Sequence, residues 1–302
     1  MAKNLLVPVD FKPESITALD YAIKIADTIE ADIHLLYVIE IESPLLKMVL
    51  TEEQRGLILE GARKKQEALS LEKSAGFRGT ICTRVAQGKI YKKIVESAVE
   101  SKADLIVMGR KDSSDMVKNF TGTNTLHIIR ESNIPVITLK KEITGTGCKH
   151  ILLPLDLSKQ VIKQVCNSIK IAQLLSASVS ILSVLTVDSA NLEIRYSTRL
   201  NEIRTLFEEY SIPCKYTLIK KTNPDLQKIF NKQAREVGAD MIIIMTQQEL
   251  NFTQFFIGST AQEVINKSDR PVLSITPTIE KSDDIPDDLI RNLVDPINIL
   301  KY

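Results

Sequence analysis

The chain repeats itself once. Val7-Pro8-Val9-Asp10 is answered by Leu153-Pro154-Leu155-Asp156, and Ile23-Lys24-Ile25-Ala26 by Ile169-Lys170-Ile171-Ala172, both 146 positions further on. Ala103-Asp104-Leu105-Ile106 matches Ala239-Asp240-Met241-Ile242, and Ile134-Pro135-Val136 matches Arg270-Pro271-Val272, both at an offset of 136. The second copy is therefore shorter between its second and fourth strands. Units of this length are whole domains rather than solenoid modules. A chain of 302 residues accommodates two of about 150, each able to bury a sizeable core.

Within the first copy, short apolar runs alternate with segments of helical period. Asn4 to Val9 reads as a strand ending at Asp10, and Ala18, Ala22, Ile25, Ala26 and Ile29 mark the helix after it. Ile33 to Ile39 is a second strand. Thr51 with Gln54 forms a capping box opening a long polar helix towards Lys73, which Gly76 and Gly79 end. Thr80 to Val85 is a third strand, and Ile90, Ile94, Val95 and Ala98 give the face of a third helix. Leu105 to Met108, a short helix from Asn124 and a strand after Pro135 complete the unit. Five strands alternating with four helices predict an α/β fold, a doubly wound, Rossmann-like parallel sheet flanked by helices, built twice. The divisions expected are a first domain at 1–141, a linker at 142–149, a second domain at 150–279 and a tail at 280–302. In the tail, four aspartates between 283 and 288 precede the apolar residues of a short helix. Residues 40–50 are unusually apolar for a connection, which predicts that they cover a pocket, a partner site or their own domain.

A formal net charge of +1 supplies no overall field for nucleic acid or an anionic membrane. No run of about 18 apolar residues is present, and the amino terminus enters a strand at once, so a cytoplasmic protein is expected. Cys82, Cys148, Cys166 and Cys214 form no C-x-x-C pair, and His34, His127 and His150 lie far apart, so no zinc-ligand spacing occurs.

Chemistry concentrates between Leu105 and Leu139. Gly109 falls where a parallel strand ends, which is where open α/β sheets bind ligands. Gly122, Thr123 and Thr125 fall at the amino terminus of the next helix, where free N–H groups and the helix dipole suit a phosphate. Two readings stand side by side: glycines that admit a close anion, or glycines that end a strand and start a helix.

The spacing Gly109, two residues, position 112, nine residues, Gly122-Thr123 resembles the nucleotide loop of the universal stress protein family, G-x2-G-x9-G-[S/T]. The resemblance covers residues 1–279 as two family domains and implies the adenine-nucleotide alpha hydrolase-like fold. It also implies an adenine-nucleotide pocket, carried residue by residue onto Pro8, Val9, Asp10, Val38, Met108, Gly109, Gly122, Thr123 and Thr125. Asp10 has a second reading as a cap of the helix after it. Position 112 departs from the pattern, holding Asp112 where ATP-binding members carry glycine. That carboxylate repels a triphosphate unless Arg110 and Lys111 offset it, or unless Asp112 holds a Mg²⁺ ion on the phosphates. The second half keeps less, with Asp156, Val184, Met245, Gln248, Gly258 and Ser259 at the matching places, and this predicts a degenerate site. Family members with one domain pair through their last strand, so the two halves are expected to form an internal pseudo-dimer, with Val136 to Leu139 near Val272 to Ile275. A further homodimer is compatible with this. Three functions compete: a non-catalytic nucleotide-responsive stress protein, a scaffold binding no nucleotide, and a slow ATP hydrolase, for which no general base is identifiable.

Overall fold

The computed structural model describes residues 3–40, 51–111, 123–140, 147–157, 161–246 and 257–276. The apolar segment at 41–50, Asp112, Gly122, Gln248 and the tail beyond 276 lie outside the described residues. The first half runs β1 (Lys3–Pro8), α1 (Pro13–Ile29), β2 (Ala31–Ile39), α2 (Glu52–Ser74), β3 (Ile81–Gln87), α3 (Ile90–Glu100), β4 (Leu105–Gly109), α4 (Thr123–Glu131) and β5 (Val136–Leu139). The second runs β6 (His150–Pro154), α5 (Ile162–Leu175), β7 (Ser178–Leu185), α6 (Ala190–Glu209), β8 (Cys214–Lys220), α7 (Leu226–Glu236), β9 (Met241–Met245), α8 (Ser259–Lys267) and β10 (Val272–Ile275).

All ten strands belong to one sheet in the order β3-β2-β1-β4-β5-β10-β9-β6-β7-β8. Every pairing within a half is parallel. Between halves, β5 and β10 run antiparallel, with Val136 opposite Ser274, Ile137 opposite Leu273 and Thr138 opposite Val272. The halves thus meet edge to edge through their last strands. Covering each edge with its counterpart removes two unpaired strand borders from water.

Helices lie on both faces, so the central strands are buried from both sides and read as continuous apolar runs. Leu5 and Val7 of β1 enter one core with α1, α5 and the Phe207 turn of α6, while Leu6 enters the other with α3, α4, α7 and α8. Both cores extend through both halves. α2 differs from its neighbours. Its capping box forms as its sequence predicts, with Gln54 N donating to Thr51 Oγ1 (3.2 Å) and Thr51 N to Gln54 Oε1 (3.0 Å). Its one buried residue is polar: Gln66 Nε2 donates to Leu35 O (2.7 Å) and Arg84 O (3.1 Å), tying the helix to β2 and β3.

The repeated sequence pairs have structural reasons. Asp104 accepts the N–H of Asn4 (2.8 Å), and Asp240 those of Lys149 (2.9 Å) and His150 (3.0 Å), so each Ala-Asp pair fixes the start of the first strand of its half. Ser132 and Ser268 close the turns before Pro135 and Pro271, each accepting an N–H and donating to a carbonyl two residues on.

One pair of positions is exchanged between the halves. In the first, His34 Nε2 on β2 donates to Asn4 Oδ1 on β1 (3.3 Å). At the matching second-half places the imidazole sits on the first strand instead, as His150, with Ser180 opposite (2.9 Å) and Ser178 on Nδ1 (2.5 Å). Ser178 donates its own proton to Lys149 O (3.2 Å), which leaves Nδ1 as donor and Nε2 as acceptor, and the neutral ring is satisfied. Burial pushes both imidazoles below the ordinary value of 6.5, opposed by Asp32 at His34, and at His150 opposed by Asp240 and aided by Lys215. A depressed histidine pKa means that the unfolded chain binds the proton better. The stability both rings contribute is present above pH about 6.5 and falls as pH drops towards their folded values. Urea denaturation from pH 7.5 to 5 should show the midpoint declining below 6.5, and the double variant His34→Gln, His150→Gln should decline less. An unchanged decline in that variant would remove the histidines as its source.

Candidate functional site

Six of the candidate residues of the first half lie at the carboxyl ends of β1, β2 and β4. β1 ends at Pro8, and Val9 N extends the ladder to Leu36 O (2.8 Å), placing Val9 in the core and Asp10 at the rim. Phe11 then takes a left-handed backbone (φ 62°), sparsely populated for a bulky residue. Its ring lies 4.9 Å from that of Tyr37, and Lys65 Nζ stands 4.3 Å from its centroid. Val38 is half-buried near the end of β2, and Met108 is buried at the end of β4 beside Gly109. Thr123 opens α4 and Thr125 is buried in its first turn. Pro8, Val9, Asp10, Val38, Met108 and Gly109 thus lie on adjacent strand ends, since β1 stands between β2 and β4 in the sheet.

Asp10 does not cap α1. The N-cap is Lys12, whose side chain makes no capping hydrogen bond, with Pro13 supplying the first helical residue. The Phe11 turn instead brings the carboxylate to Lys12, accepting from its N–H (3.1 Å) and from Nζ (2.7 Å). Partial burial pushes the Asp10 carboxyl up, but the hydrogen bonds from Lys12 and Ser15 outweigh it and hold the pKa below the usual value. An ionised carboxylate only accepts, so Asp10 suits an amino or hydroxyl donor.

Gly109 has a reason the sequence did not disclose. A Cβ there would stand 2.2 Å from Glu14 O and 2.9 Å from Ser15 N, so the first turn of α1 occupies the space a side chain would need. Arg110 also has a structural task at the seam between the halves. It is buried at 3% exposure, and its guanidinium crosses into the second half, where Nη1 donates to Asn266 O (2.7 Å) and Nη2 to Ser268 O (2.6 Å). No sequence signal could have found this partner, because the matching residue of the second half, Thr246, is uncharged.

In the second half Leu155 N reaches Leu182 O (2.8 Å) as Val9 does Leu36, and Asp156 is exposed. Val184 is half-buried, and Met245 is buried where Gly109 stands in the first. Gly258 is the N-cap of α8, followed by exposed Ser259. Among the described residues no group of three or more His, Cys, Asp or Glu could hold a metal, and no helix is long and apolar enough to cross a membrane. All four cysteines are free, and burial raises the Cys148 and Cys214 thiols to about 12. A cavity of about 220 Å³ lined by Leu6, His34, Arg84, Ser97, Glu100 and neighbouring residues shares no residue with the candidate set.

Two doubly wound α/β halves, joined through antiparallel last strands, define a tandem Rossmann-like protein. The profile of the Universal stress protein family matches residues 1–140 and again 147–275, and the chain belongs to that family. Universal stress protein MJ0531 of Methanocaldococcus jannaschii is 32% identical over 142 residues, covering 46% of this chain and 82% of that protein. Among solved structures, a universal stress protein from Archaeoglobus fulgidus overlaps 91% of this chain and 98% of its own length, at TM-score 0.71 and 18% identity. One from Pseudomonas aeruginosa overlaps 97% and 96%, at TM-score 0.61 and 19% identity. These likenesses carry the fold.

Proposed function

We propose that this tandem universal stress protein is a non-catalytic, nucleotide-responsive protein whose first half holds an adenine nucleotide weakly and whose second half holds none. The observation that carries the reading is the contrast at one position. Gly109 ends β4 without a side chain, whereas the equivalent end of β9 carries the buried side chain of Met245. The described residues support the base side, with Val38 and Met108 of one core as apolar wall, Val9 anchored in the other core and Asp10 as an ionised acceptor. On the phosphate side Thr123 and Thr125 stand at a helix amino terminus, with Gly122 expected just before it. Pro8 and Gly109 complete the strand ends. In the second half Asp156, Val184, Gln248, Gly258 and Ser259 are the residue of a lost site. We take the domains as 1–141 and 150–279, joined by 142–149 and followed by the tail.

The scaffold reading has its own observation: α1 accounts for Gly109, so that glycine does not require a phosphate. Titration of the protein and its Asp112→Gly variant with ATP and with adenosine, with and without Mg²⁺, separates the readings. Removing about 1 to 3 kcal/mol of repulsion should tighten ATP roughly 5- to 150-fold and adenosine far less. Weaker ATP binding by the variant, only when Mg²⁺ is present, would make Asp112 a metal ligand instead. No binding by either protein would leave the scaffold.

A further inference from the structure

The residue after the fourth strand of each half is linked across the seam to the carboxyl end of the other half's last helix, directly in the first half and through Thr276 in the second. In the first half this residue is Arg110, whose backbone N–H continues β5 through Leu139 O (2.8 Å) while its side chain takes Asn266 O and Ser268 O. In the second it is Thr246, whose N–H continues β10 through Ile275 O (3.1 Å). Thr246 Oγ1 meets Thr276 Oγ1 (3.4 Å), which donates to Ile129 O of α4 (2.9 Å). The two links are not equal. The first is a buried planar cation donating twice to carbonyls at a helix carboxyl end, where orphan acceptors and the dipole both favour positive charge. The second is a relay of neutral hydroxyls.

The helix that Arg110 grips has its other end at the second half's ligand position. α8 is nine residues long, about 13 Å, with Gly258 and Ser259 at its amino end. The strand that Arg110 leaves ends in Gly109, at the first half's ligand position. We propose that Arg110 is a positioning residue coupling the two ligand positions: it fixes α8 to the end of β4, so that occupancy of the first half is transmitted to the last helix of the second. The ligand side rests on the nucleotide reading above. This assigns the second half a role that needs no ligand of its own, as the part that registers binding in the first.

Amide hydrogen exchange of the full chain, with ATP as probe and calorimetry run in parallel, tests the coupling. Without ligand, Arg110→Lys keeps a charge but loses the two-pronged geometry, and exchange at the carboxyl end of α8 should rise about tenfold or more while α7 is unchanged. Arg195→Met, exposed on α6, should leave α8 as it was. With ATP, α8 should slow in the parent protein. In Arg110→Lys, heat of ATP binding should persist while the α8 response disappears, which a merely structural contact would not produce. ATP binding that leaves α8 unchanged in the parent, or an α8 response retained in Arg110→Lys, overturns the proposal. Absence of heat in both proteins defeats the nucleotide reading instead, and unchanged ligand-free exchange in Arg110→Lys would then overturn the coupling by itself. Should Arg110→Lys not fold, Arg110→Gln and the parent protein's response to ATP decide.

Discussion

Gly109→Ala should lower the stability of the chain by about 3 kcal/mol or more, a large effect for a single methyl group. The new Cβ would stand 2.2 Å from Glu14 O and 2.4 Å from the carbonyl carbon, both backbone atoms in the first turn of α1. A flexible side chain could rotate away, but a helix start anchored by Pro13 at its first position and by the buried face of Ala18, Ala22 and Ile25 cannot. Either α1 moves off the sheet or the end of β4 does, and each opens the core between them. In the second half the equivalent place holds Met245, which is buried there. Urea denaturation of Gly109→Ala beside the parent protein measures the effect. A folded variant of unaltered stability would return Gly109 to the close-anion explanation.

The residues that remained readable in one dimension are those whose partners are near in sequence or whose reason is burial alone. Leu105, Ile106 and Val107 announce a buried parallel strand because both faces are covered, and Thr51 with Gln54 closes its box within one turn. The edge-to-edge union of β5 and β10 followed from the resemblance, since neither strand's composition says what lies beside it. What escaped are contacts between distant segments. Gly109 answers to Glu14, Arg110 to Ser268, and Gln66 to carbonyls on two strands, and in each case the residue type alone suggests something blander. A buried glutamine in the middle of a polar helix is invisible to hydrophobic periodicity, because its partners are backbone oxygens. Asp10 shows the finer limit. An acid before a helix suggests a cap, yet a single left-handed residue, Phe11, moves the carboxylate onto Lys12.

Ile137→Asp should abolish the single cooperative fold at neutral pH. Ile137 is fully buried on β5, opposite Val107 of β4 on one side and Leu273 of β10 on the other, at the seam where the halves join. Losing the side chain's packing costs about 2 to 5 kcal/mol, as for isoleucine truncated in a core. The carboxylate adds the cost of burying an unpaired charge, and the sum on the order of 5 kcal/mol or more reaches the whole stability of an ordinary domain. Its pH dependence should run opposite to that of the histidines. Burial raises a carboxyl pKa, so the folded form of the variant binds a proton that the unfolded chain, at about 3.9, releases. Whatever stability survives is therefore fully present below that value and is lost as pH rises through the folded pKa. Circular dichroism from pH 3.5 to 7.5, compared with Ile137→Asn, which carries no charge at any pH, isolates the carboxylate. If the two variants lose structure along the same pH course, the charge is not what breaks the seam, and the loss lies in packing between β4, β5 and β10 alone.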